Sequence, residues 1–118
     1  REIMHDHVSV VRSAISLKAA LDELETVARQ ADYTPGSLEA VECANMWVLA
    51  REIARSALAR KESRGGHHRA DFPDPSPLLH GQHQLVRLRG GVVQRDFGPL
   101  SAAWESAGDT APTRSAVA

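Results

Sequence analysis

The chain has 118 residues, 42% apolar but only 4% aromatic, with a formal net charge of -1 and both signs interspersed. That length suits one small domain, and its balanced charge excludes the basic face of a nucleic-acid-binding domain or a polybasic membrane anchor. No apolar run approaches the roughly 20 residues of a membrane span, and the single cysteine, Cys43, leaves no internal disulfide and implies a reducing, cytoplasmic setting.

The opening stretch, Arg1 to Val8, reads as a helix already under way, with Ile3, His7, Val10 or Val11 and Ala14 on one face. So short a helix is marginal alone and is expected to dock on something. Ser16 is the expected N-cap of a second helix, whose stripe is Leu17, Ala20, Leu21, Leu24 and Ala28. Pro35-Gly36 then breaks the pattern. Ser37 caps the third and strongest helix, with Glu39 and Glu42 near its positive end. Its stripe runs through Met46, Leu49, Ala50, Ile53, Ala54, Ala57 and Leu58, and its end is expected near Ser63, stopped by Gly65-Gly66.

After Gly66 the chain turns extended and proline-punctuated. Gln84–Arg89 and Val92–Phe97 flank Gly90-Gly91 in the pattern of a β-hairpin. From about Ser101 the composition is that of a disordered tail, which includes Trp104. The fold expected from these elements is all-α: a three-helix bundle in a spectrin-repeat-like up-down arrangement over residues 1–75. An extended segment with a hairpin at 76–100 and a tail at 101–118 would follow it.

Chemistry-bearing motifs are few. The sequence holds no G-x-G-x-x-G after a strand, no P-loop, no H-E-x-x-H and no C-x-x-C. The six histidines fall as His5-x-His7, His67-His68 and His80-x-x-His83, spacings that do not gather the three or four ligands of a zinc site, so no metal is expected. Cys43 reads as a small buried hydrophobe, and Trp47 as lining a groove or facing another domain. Polar specificity is densest between Arg60 and Pro73. Composition alone makes this a solvated helix end and loop. A sharper reading makes Glu62, Ser63, Arg64, His67, Arg69 and Asp71 a charge-paired seam against another domain, a role that suits arginine.

Arg60-Lys61-Glu62-Ser63-Arg64-Gly65-Gly66-His67, with Arg69 and Asp71-Phe72-Pro73, resembles the R-x-E-S-R-G-x-H-x-R-x-D-F/Y-P signature. That signature marks the C-terminal helical domain of the succinate dehydrogenase, fumarate reductase and L-aspartate oxidase flavoproteins. Asn45-Met46 and Ala57-Leu58-Ala59-Arg60 resemble that domain's long helix, and Val10-Val11-Arg12 with Leu17 its first interhelical link. Asp74-Pro75-Ser76-Pro77-Leu78-Leu79-His80-Gly81 stands where the dehydrogenase branch carries a W-x-K-H-T-type stretch, so the resemblance favours the L-aspartate oxidase branch.

The resemblance implies a parent with an FAD-binding domain, a capping domain and this helical domain. That parent would oxidise L-aspartate to iminoaspartate, the first step of NAD biosynthesis. Catalytic and FAD-binding residues would lie in the first two domains, with none here, and this segment alone would bind no cofactor and be inactive. Its partners would be those domains, with a homodimer expected through its exposed apolar face. Two alternatives stand beside it: a succinate dehydrogenase or fumarate reductase flavoprotein domain, and a free-standing helical interaction module.

Overall fold

The computed structural model describes residues 1–31 and 36–99, so Pro35, Trp104 and the expected tail lie outside the described residues. The chain divides into two compact units, Arg1–Pro77 and Leu78 onward. The elements in order are α1 (Glu2–Val8), β1 (Val11–Arg12), α2 (Ala14–Gln30), α3 (Leu38–Ala59) and β2 (His68–Arg69). A 3-10 turn (Pro77–Leu79), β3 (Gln82–Arg89) and β4 (Val92–Pro99) complete them.

The all-α expectation is overturned, because three helices share the chain with two two-stranded sheets. In the first unit, β1 and β2 pair in parallel, Val11 with His68 and Arg12 with Arg69. The His68 amide donates to the Val10 carbonyl at 3.2 Å and the Ala70 amide to the Arg12 carbonyl at 2.8 Å. This short ladder replaces a continuous bundle: α1 stops at Val8, and the chain runs extended before α2 begins.

The start of α2 lies three residues earlier than the expected Ser16 cap. Ser13 is the N-cap, its Oγ accepting from the Ser16 amide while Ser16 Oγ accepts from the Ser13 amide at 2.9 Å. This reciprocal capping box satisfies two otherwise orphaned amides. Ser37 caps α3 as expected, its Oγ accepting from the Ala40 amide at 3.1 Å.

Leu17, Ala20, Ala54 and Ala57 form the buried seam between α2 and α3, joined by Val8 of α1. Small alanines on both sides let the backbones approach closely. The third helix does not bury the whole expected stripe, for Met46, Leu49 and Ile53 are exposed. It also ends at Ala59, with Arg60 as C-cap, short of Ser63.

The second unit is the antiparallel hairpin β3–β4, in full register from Gln82 with Pro99 to Arg89 with Val92. Its two-residue turn, Gly90-Gly91, has φ of +55° and +78°. These values suit the primed turn that matches strand twist.

Candidate functional site

The motif segment after α3 folds back on the helix ends as a hydrogen-bonded knot. Arg69 is its centre, only 1% exposed. Its guanidinium makes a two-pronged contact with Asp71, Nε to Oδ1 at 2.8 Å and Nη2 to Oδ2 at 2.7 Å. The remaining nitrogen, Nη1, donates to the carbonyls of Ala57 at 2.9 Å, Leu58 at 3.0 Å and Arg60 at 3.3 Å. These are carbonyls of the last turn of α3, which have no partner within the helix. Asp71 Oδ2 in turn accepts from the Ala14 amide at 3.1 Å, in the first turn of α2. One ion pair therefore sets a cation at the negative end of α3 and a carboxylate at the positive end of α2.

Ser63 is buried beside it. Its Oγ accepts from the Arg69 amide at 2.8 Å and donates to the Phe72 carbonyl at 2.8 Å. Glu62 is fully buried and holds the second charge cluster. Arg64 donates to it through Nε at 3.3 Å and Nη2 at 3.2 Å, the Ser76 amide at 2.8 Å, and Arg60 pairs with it as well. Burial pushes the Glu62 carboxyl up, but the bonds from Arg64, the Ser76 amide and Arg60 more than reverse this and hold it at about 2. The bonds from Arg69 keep Asp71 well below the ordinary carboxylate range, against a smaller opposing effect of desolvation. His67 Nε2 donates to the Arg60 carbonyl at 3.1 Å; burial and the nearby Arg12, Arg69 and Arg60 lower its pKa, although that bond favours the charged ring.

All six residues expected at the seam thus gather in one knot, and they are not equivalent. Glu62, Ser63 and Arg69 are buried within this unit, and His67 is half-buried. Arg64 is exposed, with Gly65 and Gly66 beside it. Three participants stand outside the six site residues expected from the sequence. Arg12 donates through Nη2 to the Gly66 carbonyl at 3.3 Å, and its Nε is buried without a partner in the described residues. Arg60 and Ser76 complete the Glu62 cage. Only the parallel β1–β2 pairing brings Arg12 there, and residues more than fifty apart in sequence carry no local signal for it.

A second feature lies at the other end of the helices. An apolar groove of about 490 Å³ runs beside Ile3, Met4, Leu24, Val27, Met46, Trp47 and Ile53. Trp47 Nε1 donates to the Leu24 carbonyl at 2.8 Å, with the Arg51 guanidinium 4.4 Å above its ring. Cys43, expected as a small buried hydrophobe, is half-buried in the groove wall. Among the described residues no three His, Cys, Asp or Glu come together as a metal-binding group, and no helix is long and apolar enough to cross a membrane.

Comparison with known proteins agrees with this architecture. The family described as fumarate reductase flavoprotein C-term matches residues 1–101. The chain belongs to that family: it is a C-terminal unit of the succinate dehydrogenase and fumarate reductase class of flavoproteins, which includes L-aspartate oxidases among its relatives. An uncharacterised FAD-dependent oxidoreductase of Methanocaldococcus jannaschii is 40% identical over 86 residues, covering 69% of this chain and 16% of that one. One polypeptide of the fumarate reductase (CoM/CoB) of Methanothermobacter marburgensis is 39% identical, covering 64% and 16%. An L-aspartate oxidase of Caulobacter vibrioides is 39% identical, covering 76% and 15%. The chain therefore spans about a sixth of the length of the curated relatives it matches. Among solved structures, the Mycobacterium smegmatis Sdh1 complex in its apo form is similar with a TM-score of 0.67 and 29% identity, over 83% of this chain and 18% of that one.

Proposed function

We propose that this chain is the C-terminal unit of an FAD-dependent L-aspartate oxidase, converting L-aspartate to iminoaspartate, and that its motif loop docks on the flavin-binding part of the same polypeptide. The observation that carries the docking is the division within the knot. Glu62, Ser63 and Arg69 close this unit from inside, which stiffens a turn that presents Arg64 and the two glycines outward. A pre-organised arginine can recognise a carboxylate or a carbonyl with little further ordering cost.

The oxidase assignment is supported by the recurrence of L-aspartate oxidases among the relatives and by the stretch from Asp74 to Pro77. There the Ser76 amide is used to hold Glu62, in place of the dehydrogenase-type sequence. No described residue is assigned to the flavin. Two first-turn amides of α2, those of Ala14 and Ser16, are engaged by Asp71 and Ser13, one of those of α3 by Ser37, and among the described residues no glycine-rich turn joins a strand to a helix. Hydride chemistry would belong to the other domains, and this unit's part is to hold their geometry.

A second reading keeps the family and changes the substrate, on the strength of the fumarate reductase relative. Anaerobic addition of L-aspartate or of succinate to the flavoprotein carrying this sequence separates them. Bleaching of the flavin by L-aspartate supports the oxidase; bleaching by succinate alone overturns it in favour of the dehydrogenase branch.

A further inference from the structure

The ion pairs of the knot leave one cation over. Glu62 is held by Arg60 and Arg64, and Asp71 by Arg69. Arg12, the fourth guanidinium, forms no ion pair among the described residues. Its Nη2 donates to the Gly66 carbonyl, and its Nε is buried without a partner. Burial and the nearby charge of Arg69 both disfavour its cationic form. Partial burial of a charge has a cost that a partner of opposite sign normally offsets. Among the described residues that partner is missing.

The surroundings of Arg12 suit a contact. It lies in β1, one strand of a two-stranded sheet, and Val10, Val11 and Ile15 around it are exposed. Its bond to Gly66 joins it to the turn that carries Arg64 and the two glycines. Apolar side chains with an arginine among them are the composition expected at the core of a protein–protein contact. Covering that surface strips more water from the Arg12 guanidinium, so the covering surface needs a compensating anion. The planar fork of a guanidinium matches a carboxylate.

On the reading that the motif turn docks on the flavin-binding part of the same polypeptide, we propose that Arg12 is a second anchor of that contact. An aspartate or glutamate side chain of the flavin-binding part pairs with it beside Gly66, and Val10, Val11 and Ile15 lie in the area so covered.

Two variants of the whole flavoprotein that carries this sequence test this. Arg12→Lys puts an amine in place of the guanidinium, and a water-soluble carbodiimide joins an amine to a carboxylate in contact with it as an amide. Digestion and mass spectrometry are expected to find residue 12 linked to an aspartate or glutamate of the flavin-binding part. Linkage only to carboxylates within residues 1–118, or none, overturns the proposal. The second variant, Arg12→Gln, removes the charge and keeps an amide donor for the Gly66 carbonyl. Inside this unit that change relieves repulsion from Arg69, so a purely internal role leaves the temperature of FAD release unchanged or raises it. The proposal predicts release several degrees below wild type, with a weaker dependence on salt. Release at or above the wild-type temperature overturns it. Earlier release without a carboxylate linkage also overturns it, and makes the phosphates of FAD the anion. If Arg64→Ala releases flavin early and Arg12→Gln does not, the docking stands and only the pairing of Arg12 falls. If neither does, the docking falls as well.

Discussion

Arg69 Nη2 lies 2.7 Å from Asp71 Oδ2, and through that pair the last turn of α3 is tied to the first turn of α2. The two residues are neighbours but one in sequence, and the helix ends they serve are more than forty residues apart. Arg69→Met should therefore be costly, since it takes the side-chain donor from the Ala57 and Leu58 carbonyls and leaves Asp71 with the Ala14 amide. About 1–3 kcal/mol is expected for leaving buried helix-end carbonyls without their partner. Arg69→Lys should recover little, because an ammonium cannot reproduce the fork. Urea unfolding monitored by circular dichroism would show it as a lower midpoint at unchanged slope.

Acid should loosen the knot. Glu62 titrates at about 2 in the folded chain against an ordinary 4.5. The unfolded state therefore takes up the proton first. Its contribution is fully present above about 4.5 and is lost progressively as pH falls through 4.5 to about 2. Asp71, also depressed, adds to the same limb. His67 acts in the same direction at milder acidity, since its pKa lies below 6.5 when folded. Glu62→Gln should lower stability at neutral pH and flatten, without abolishing, the decline below 4.5. An identical acid slope in wild type and variant would contradict the role given to Glu62.

The two glycines of the motif should respond differently. Gly65 has φ of +55°, a region that strains any side chain, whereas Gly66 does not have positive φ; a Cβ meets nothing within 4 Å at either site. Gly65→Ala should cost about 1–2 kcal/mol and Gly66→Ala a few tenths at most. Thermal melts of the pair would check this, equal losses arguing against the turn geometry.

At the start of α2, Ser13→Ala should cost about 1 kcal/mol and Ser13→Gly only a few tenths. A loss at Ser16 alone, with Ser13→Ala silent, would restore the cap position expected from the sequence.

Legibility in the sequence followed the range of the interaction. The Ser37 cap, the Leu17–Ala20–Leu24 seam and the Gly90-Gly91 turn were readable because each is decided within a few residues. The second cap was misplaced because Ser13 and Ser16 each offer a hydroxyl, and only the extended backbone of Ser13 tells which precedes the helix. The end of α3 came early for a tertiary reason: Arg69 takes its last carbonyls, so the helix needs no glycine to stop it. The parallel β1–β2 pair, which breaks the all-α pattern, is two residues long on each side and leaves no periodicity to find. The motif named residues that come together in space, but not that Glu62, Ser63 and Arg69 face inward.

The central claim, that this knot stiffens a turn for docking on a flavin domain, is tested most directly by heating the flavoprotein that carries this sequence and following FAD release by fluorescence. Arg64→Ala should release flavin several degrees below wild type and lose activity with L-aspartate, while Lys61→Ala, also exposed, should match wild type. Unchanged release and activity in Arg64→Ala would contradict the account.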